Sequence, residues 1–121
     1  MCIRDSSSTV ASEFVEGFKE YLNSDAQNLT NNGDNDIVAA VSALGYDAYM
    51  VAIEAIKAAG SADPEAIKEA LSGVSYEGVT GSVTFDENGD AQKDMAYIKT
   101  VDTAGEGAFS FIKTQSVADI D

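Results

Sequence analysis

The stretch from Ile37 to Ala59 limits what this chain can fold into more than any other. Apart from Ser42, Asp47, Glu54 and Lys57 it consists of Ala, Val, Ile, Leu, Met, Tyr and Gly. At about 100° per residue, Asp47, Glu54 and Lys57 fall within one narrow stripe, and the rest of the circumference is apolar. A helix that is apolar over so much of its girth belongs between layers of structure, not on a surface. Gly45 is a potential break, which would place Asp47 near the N-terminus of a second half-helix. Gly60 supplies the C-terminal stop. The three charges interrupt the apolar run too often for a membrane span.

The flanking segments are easier to read. From Thr9 onward, Phe14, Val15, Phe18, Tyr21 and Leu22 recur at helical spacing, with Glu13, Glu16, Lys19 and Glu20 off that face. Ser24 to Asp36 is rich in Asn, Asp and Gly and reads as a polar loop that ends this helix and caps the next. Asp63-Pro64-Glu65 opens a third, short helix. Asp63 is placed to cap it, Pro64 suits the first helical position, and Glu65 complements the helix dipole. Lys19, Lys57 and Lys68 each follow a glutamate by three residues, which supports helices weakly.

After Gly73 the period changes to two. Val83 and Phe85 alternate with Ser82 and Thr84, Glu87 to Asp90 reads as a turn, and Met95–Val101 and Ala108–Ile112 read as further strands. The expected class is therefore α/β, with three helices followed by three or four short strands. Residues 1–8 read as an irregular or artefactual leader, residues 9–113 as the folded region, and residues 114–121 as a frayed tail. The leader has no apolar core of signal-peptide length, and Cys2 is not placed as a lipobox cysteine. So few elements leave the long apolar helix uncovered, and the expectation is an incomplete domain.

Composition removes several kinds of chemistry. The 121 residues contain no His, one Cys, 7 Lys+Arg and 21 Asp+Glu, for a net charge of −14. Without histidine, no Ser-His or Cys-His pair can form. One cysteine forms no internal disulfide, CxxC pair or cysteine zinc site. The negative charge argues against nucleic acid. It is spread evenly, as −5, −4 and −5 over residues 1–40, 41–80 and 81–121. That is the pattern of a solubility skin on an exported or salt-exposed protein.

Candidate sites are few. Asp86-Glu87-Asn88-Gly89-Asp90 has the ingredients of a calcium loop, but glycine comes fourth and Tyr97 takes the twelfth position, so a turn with Asn88-Gly89 at positive φ is expected. Gly78-Val79-Thr80-Gly81 lacks the spacing of a phosphate-binding loop and reads as a bend before a strand. The sequon Asn28-Leu29-Thr30 reads as a chance match. No catalytic constellation and no metal site is found. Gly45-Tyr46-Asp47 is the one site-like cluster. Asp47 can hold a ligand's ammonium group beside Tyr46, or it can be an N-cap while Tyr46 packs against the core.

Four blocks in order carry a resemblance. They are Ala43-Leu44-Gly45-Tyr46-Asp47-Ala48, Ala58-Ala59-Gly60-Ser61-Ala62-Asp63-Pro64-Glu65-Ala66, Tyr76-Glu77-Gly78-Val79-Thr80-Gly81 and Val83-Thr84-Phe85-Asp86-Glu87-Asn88-Gly89-Asp90. Together with Phe14 to Leu22 upstream, this series resembles the C-terminal third of the type I periplasmic binding proteins, in particular the branched-chain amino-acid receptors of ABC importers. The likeness covers about residues 9–113.

The resemblance implies two α/β lobes joined by three crossovers, with a small amino acid closed between them and no chemistry performed. It implies a periplasmic or extracellular protein that delivers its ligand to an ABC membrane permease without a cofactor. The remaining, N-terminal portion of the same protein would supply the grip on the ligand's α-carboxylate. The family's later ligand contacts map to Leu44, Gly45 and Tyr46, with Asp47 beside them. A ligand-sensing domain of a membrane receptor or sensor kinase would use the same fold. A small carboxylate-rich enzyme is a further rival and would need two carboxylates of split pKa.

Overall fold

The computed structural model describes residues 8–93, 95–101 and 109–116. The element order is α1 (Thr9–Asn23), α2 (Ala26–Asn31), α3 (Ala40–Ala59), α4 (Pro64–Leu71), β1 (Tyr76–Gly78), β2 (Gly81–Phe85), β3 (Ala91–Gln92), β4 (Met95–Val101) and β5 (Phe109–Ser116). Helices come first and strands last, as expected. One short helix and two short strands, β1 and β3, add to the expected inventory. Of the expected leader, residues 1–7 lie outside the described residues, and Ser8 is the extended N-cap of α1.

The chain divides into two units, one of Met1–Ile53 with Gly78–Thr80, the other of Glu54–Glu77 with Gly81–Asp121. In the first, Ala11, Ala43 and Val79 form the buried core, with Phe14, Val15 and Val38 packed against it. Two of the three core residues are alanines, and the bulkier Phe14 packs against them from a partly buried position.

The Ser24–Asp36 segment is not wholly a loop. Asp25 accepts a 2.7 Å hydrogen bond from the Gln27 backbone N–H and so caps the six-residue α2. The irregular part is the stretch that follows. Gly33 and Asp34 both adopt left-handed backbone, at φ 77° and 59°. Asn32 then donates to the carbonyls of Asn35 and Ile37. The sequon's Asn28 donates its side-chain nitrogen to the Tyr21 carbonyl at 3.0 Å.

Helix α3 differs from expectation in two ways. It runs unbroken through Gly45, so Asp47 is not the N-cap of a second half-helix. A mid-helix glycine costs about 1 kcal/mol against alanine, and the good helix formers around it carry the segment through. Its burial is also inverted. Ala43, Asp47, Val51 and Ala55 are buried along one i, i+4 ridge, whereas Ile37, Val41, Leu44, Tyr49 and Ile56 in and just before the helix are exposed. The carboxylate faces inward and much of the apolar girth faces out. Lys57 and Glu54, farther along, form the expected surface pair at 2.8 Å. Lys19 bridges to Asp36 at 3.5 Å.

In the second unit, Asp63 accepts hydrogen bonds from the N–H groups of Glu65 and Ala66, with Pro64 at the start of α4. The cap predicted from the sequence is therefore in place. Strands β1, β2 and β3 form one sheet in that order. β2 pairs antiparallel with β3 through Thr84↔Gln92 and Phe85↔Ala91. Val74 and Val83 are buried.

β4 and β5 make an antiparallel ribbon from Met95↔Ser116 to Val101↔Phe109, with a register slip between Ile98 and Lys99 that leaves Ile112 as the extra residue. β5 thus extends through Ser116, past the expected end at Ile112 and into the segment read as a frayed tail. Cross-strand pairing to Met95, Ala96 and Tyr97 holds those last residues. Residues 117–121 lie outside the described residues.

Candidate functional site

The four candidate residues share the first turns of α3 but meet different surroundings. Leu44 is about half exposed and Gly45 is exposed, with nothing within 4 Å of where a Cβ would stand. Tyr46 is 40% exposed and leans on Phe14, with ring centroids 5.0 Å apart and planes inclined at 45°. Phe14 in turn lies 5.6 Å from Phe18. Leu44, Gly45 and Tyr46 thus lie within α3, whereas the family resemblance puts its ligand contacts in the loop before this helix.

Asp47 is 3% exposed, and both of its carboxylate oxygens are engaged. Oδ1 accepts from the Val79 N–H at 2.8 Å. Oδ2 accepts from the Thr80 N–H at 2.8 Å and from the Thr80 hydroxyl at 2.6 Å. A buried charge is tolerated when it is met this way by convergent donors. Its partners belong to the Gly78-Val79-Thr80-Gly81 stretch, which the sequence presents only as a bend. Gly78 is part of the arrangement, because a Cβ there would stand 2.5 Å from Oδ1 and 2.6 Å from Cγ of Asp47. Gly81, at φ 98°, then turns the chain into β2.

An open groove of about 380 Å³ lies beside Tyr46, lined by Phe14, Phe18, Tyr21 and Val10 with Glu13 among them. It suits an apolar body with a polar end. Leu44, Gly45 and Asp47 do not line it. The helical spacing of Phe14, Phe18 and Tyr21 was legible, but it marks a core face and a groove wall alike.

The Asp86–Asp90 segment is a turn. Asp86 Oδ1 accepts from the N–H groups of Asn88 and Asp90, both at 2.9 Å, and Oδ2 accepts from the Gln92 amide at 3.2 Å. The Asp90 N–H above all, with those of Asn88 and Gly89 and the Gln92 amide, holds the Asp86 carboxyl below its ordinary 3.8 against a smaller opposing effect of desolvation. Gly89 sits at φ 85°, as the turn reading requires. Among the described residues no three His, Cys, Asp or Glu side chains converge as a metal site. No helix among them is long and apolar enough to cross a membrane.

Known proteins share this arrangement of elements. A family model described as periplasmic binding protein matches residues 4–106 and so reaches into the segment set aside as a leader. The crystal structure of a leucine binding protein, LivK, from Thermotoga maritima superposes with a TM-score of 0.73 at 35% identity. That likeness covers 99% of this chain and 30% of the LivK chain. No curated protein matches. The α/β order of helices followed by strands, the near-complete coverage and the family match agree, and this chain belongs to the periplasmic binding protein family.

Proposed function

We propose that this chain is the C-terminal part of the substrate-binding component of an ABC amino-acid importer. A branched-chain or similar small amino acid would be held between two lobes, and the permease would receive it from the closed form. The observation that carries this reading is the 35% identity to a leucine binding protein along 99% of the present chain. The match spans only 30% of LivK; in this reading the rest of the protein supplies the α-carboxylate grip, and the protein works in the periplasm or outside the cell.

Within this chain, Leu44, Gly45 and Tyr46 are the proposed ligand contacts, and Leu44 or Tyr46, which lie about 160° apart around α3, walls the site. Leu44 and Tyr46 offer apolar surface, and Gly45 lets a ligand approach the helix backbone. Asp47 belongs to the same cluster, but with both oxygens satisfied internally it has no free acceptor to offer an ammonium group without breaking those bonds.

The test is calorimetric titration of leucine, isoleucine, valine and glutamine into the full-length gene product. Saturable binding of the aliphatic amino acids, weakened by Leu44→Ala or Tyr46→Ala, supports the reading. No binding of any of the four contradicts it.

A further inference from the structure

Helix α3 has a packing problem that its apolar residues leave open. Most of its circumference carries Ala, Val, Ile, Leu or Met, and apolar contact is non-directional. A rod of that kind gains nearly the same burial at several rotations about its own axis. Ala43, Val51 and Ala55 share the buried ridge, and the inward-facing Asp47 adds the directional contact that apolar packing lacks. Its carboxylate receives three hydrogen bonds from residues 32 and 33 positions away, and it is buried. A small roll would leave the carboxylate buried away from these donors, and a larger one would take it out to solvent; either way the three bonds to Val79 and Thr80 are lost, a cost that apolar contact alone does not impose.

We propose that Asp47 is the key that fixes the roll of α3, and so acts as a positioning residue for the Leu44 and Tyr46 ligand contacts. This inference rests on the binding reading above. At about 100° per residue, Leu44 lies about 60° to one side of Asp47 and Tyr46 about 100° to the other. The direction of Asp47 therefore sets both at once. A roll of about 20° would move a side-chain tip ~5–6 Å from the axis by roughly 2 Å, well beyond the ~0.5 Å tolerance of a preorganised binding site. A single buried polar residue choosing among near-equivalent apolar packings has its best precedent in coiled-coil register. Gly78 is the matching part, since a side chain there would occupy the place of the carboxylate.

The experiment measures leucine affinity and stoichiometry by calorimetry on the full-length protein and its Asp47→Asn, Thr80→Val and Thr80→Ser variants. The expected result is a dissociation constant raised about tenfold by Asp47→Asn and about threefold by Thr80→Val. Stoichiometry should be unchanged, and Thr80→Ser should restore the wild-type value. If Asp47→Asn does not fold, the two Thr80 variants carry the test alone. A fall in stoichiometry at constant affinity makes the clamp merely structural and overturns the proposal, as does wild-type affinity in every variant. Absence of leucine binding by the wild type overturns the binding reading itself, a separate result.

Discussion

Thr80 gives both its backbone N–H and its hydroxyl to Oδ2 of Asp47, at 2.8 and 2.6 Å, across 33 residues of chain. Together with the Val79 N–H on Oδ1, this ties the middle of α3 to the short segment between β1 and β2. Replacing Thr80 by Val keeps shape and removes one charge-assisted bond. It should cost about 1–2 kcal/mol in urea unfolding, and Asp47→Ala, which removes the acceptor of all three bonds, on the order of 3–5 kcal/mol.

Two glycines should respond in opposite directions. Gly78→Ala would drive a Cβ into the Asp47 carboxylate and should cost about 2–4 kcal/mol, much as loss of the clamp does. Gly45→Ala meets open space in mid-helix and should stabilise by about 0.5–1 kcal/mol. The same methyl group should weaken leucine binding if Gly45 lies against the ligand. Thermal melts with and without leucine separate the two effects.

How much of this the sequence shows depends on the kind of interaction. Asp63 with Pro64, and Asn88 with Gly89, act through backbone groups within a few residues, so their cap and turn are legible in order along the chain. Asp47 acts on Val79 and Thr80, and nothing in one sequence reports a contact 32 residues away. Helical phase assigned Asp47 to the polar stripe with Glu54 and Lys57, and the buried donors reversed that. The break at Gly45 failed for a related reason, since glycine propensity is a small local term that the surrounding helix formers exceed. α2 went unseen because six residues capped by Asp25 leave too little periodicity among so many Asn and Asp. For the candidate site, Gly45-Tyr46-Asp47 stood out as a pattern and Leu44 came only from the resemblance, while the groove of Phe14, Phe18 and Tyr21 beside Tyr46 was indistinguishable from a core face.

The Asp63 cap is an independent control on the second unit. Asp63→Ala removes the acceptor for two N–H groups at the start of α4. It should cost about 1 kcal/mol and leave the Asp47 clamp and leucine affinity untouched. Circular dichroism melts and calorimetry on the same sample check both halves of that statement.

The Asp86 turn predicts a pH effect of definite sign. Its folded pKa is depressed, chiefly by the Asp90 N–H. Its contribution to stability is therefore full above the ordinary value of 3.8 and is lost as pH falls from there through the lower folded value. Gly89→Ala strains the φ 85° turn and should raise the Asp86 pKa toward its ordinary value. Carboxyl-carbon NMR titration of wild type and variant reads this directly.

Amide hydrogen exchange at Val79 and Thr80 bears most directly on the role of Asp47. If the carboxylate holds this segment, both amides are strongly protected in the wild type and exchange at least about tenfold faster in Asp47→Ala. The amides of the Asp86–Asp90 turn should serve as an unchanged reference. Exchange at Val79 and Thr80 already as fast as an open turn in the wild type, or unaltered by the substitution, would contradict the account.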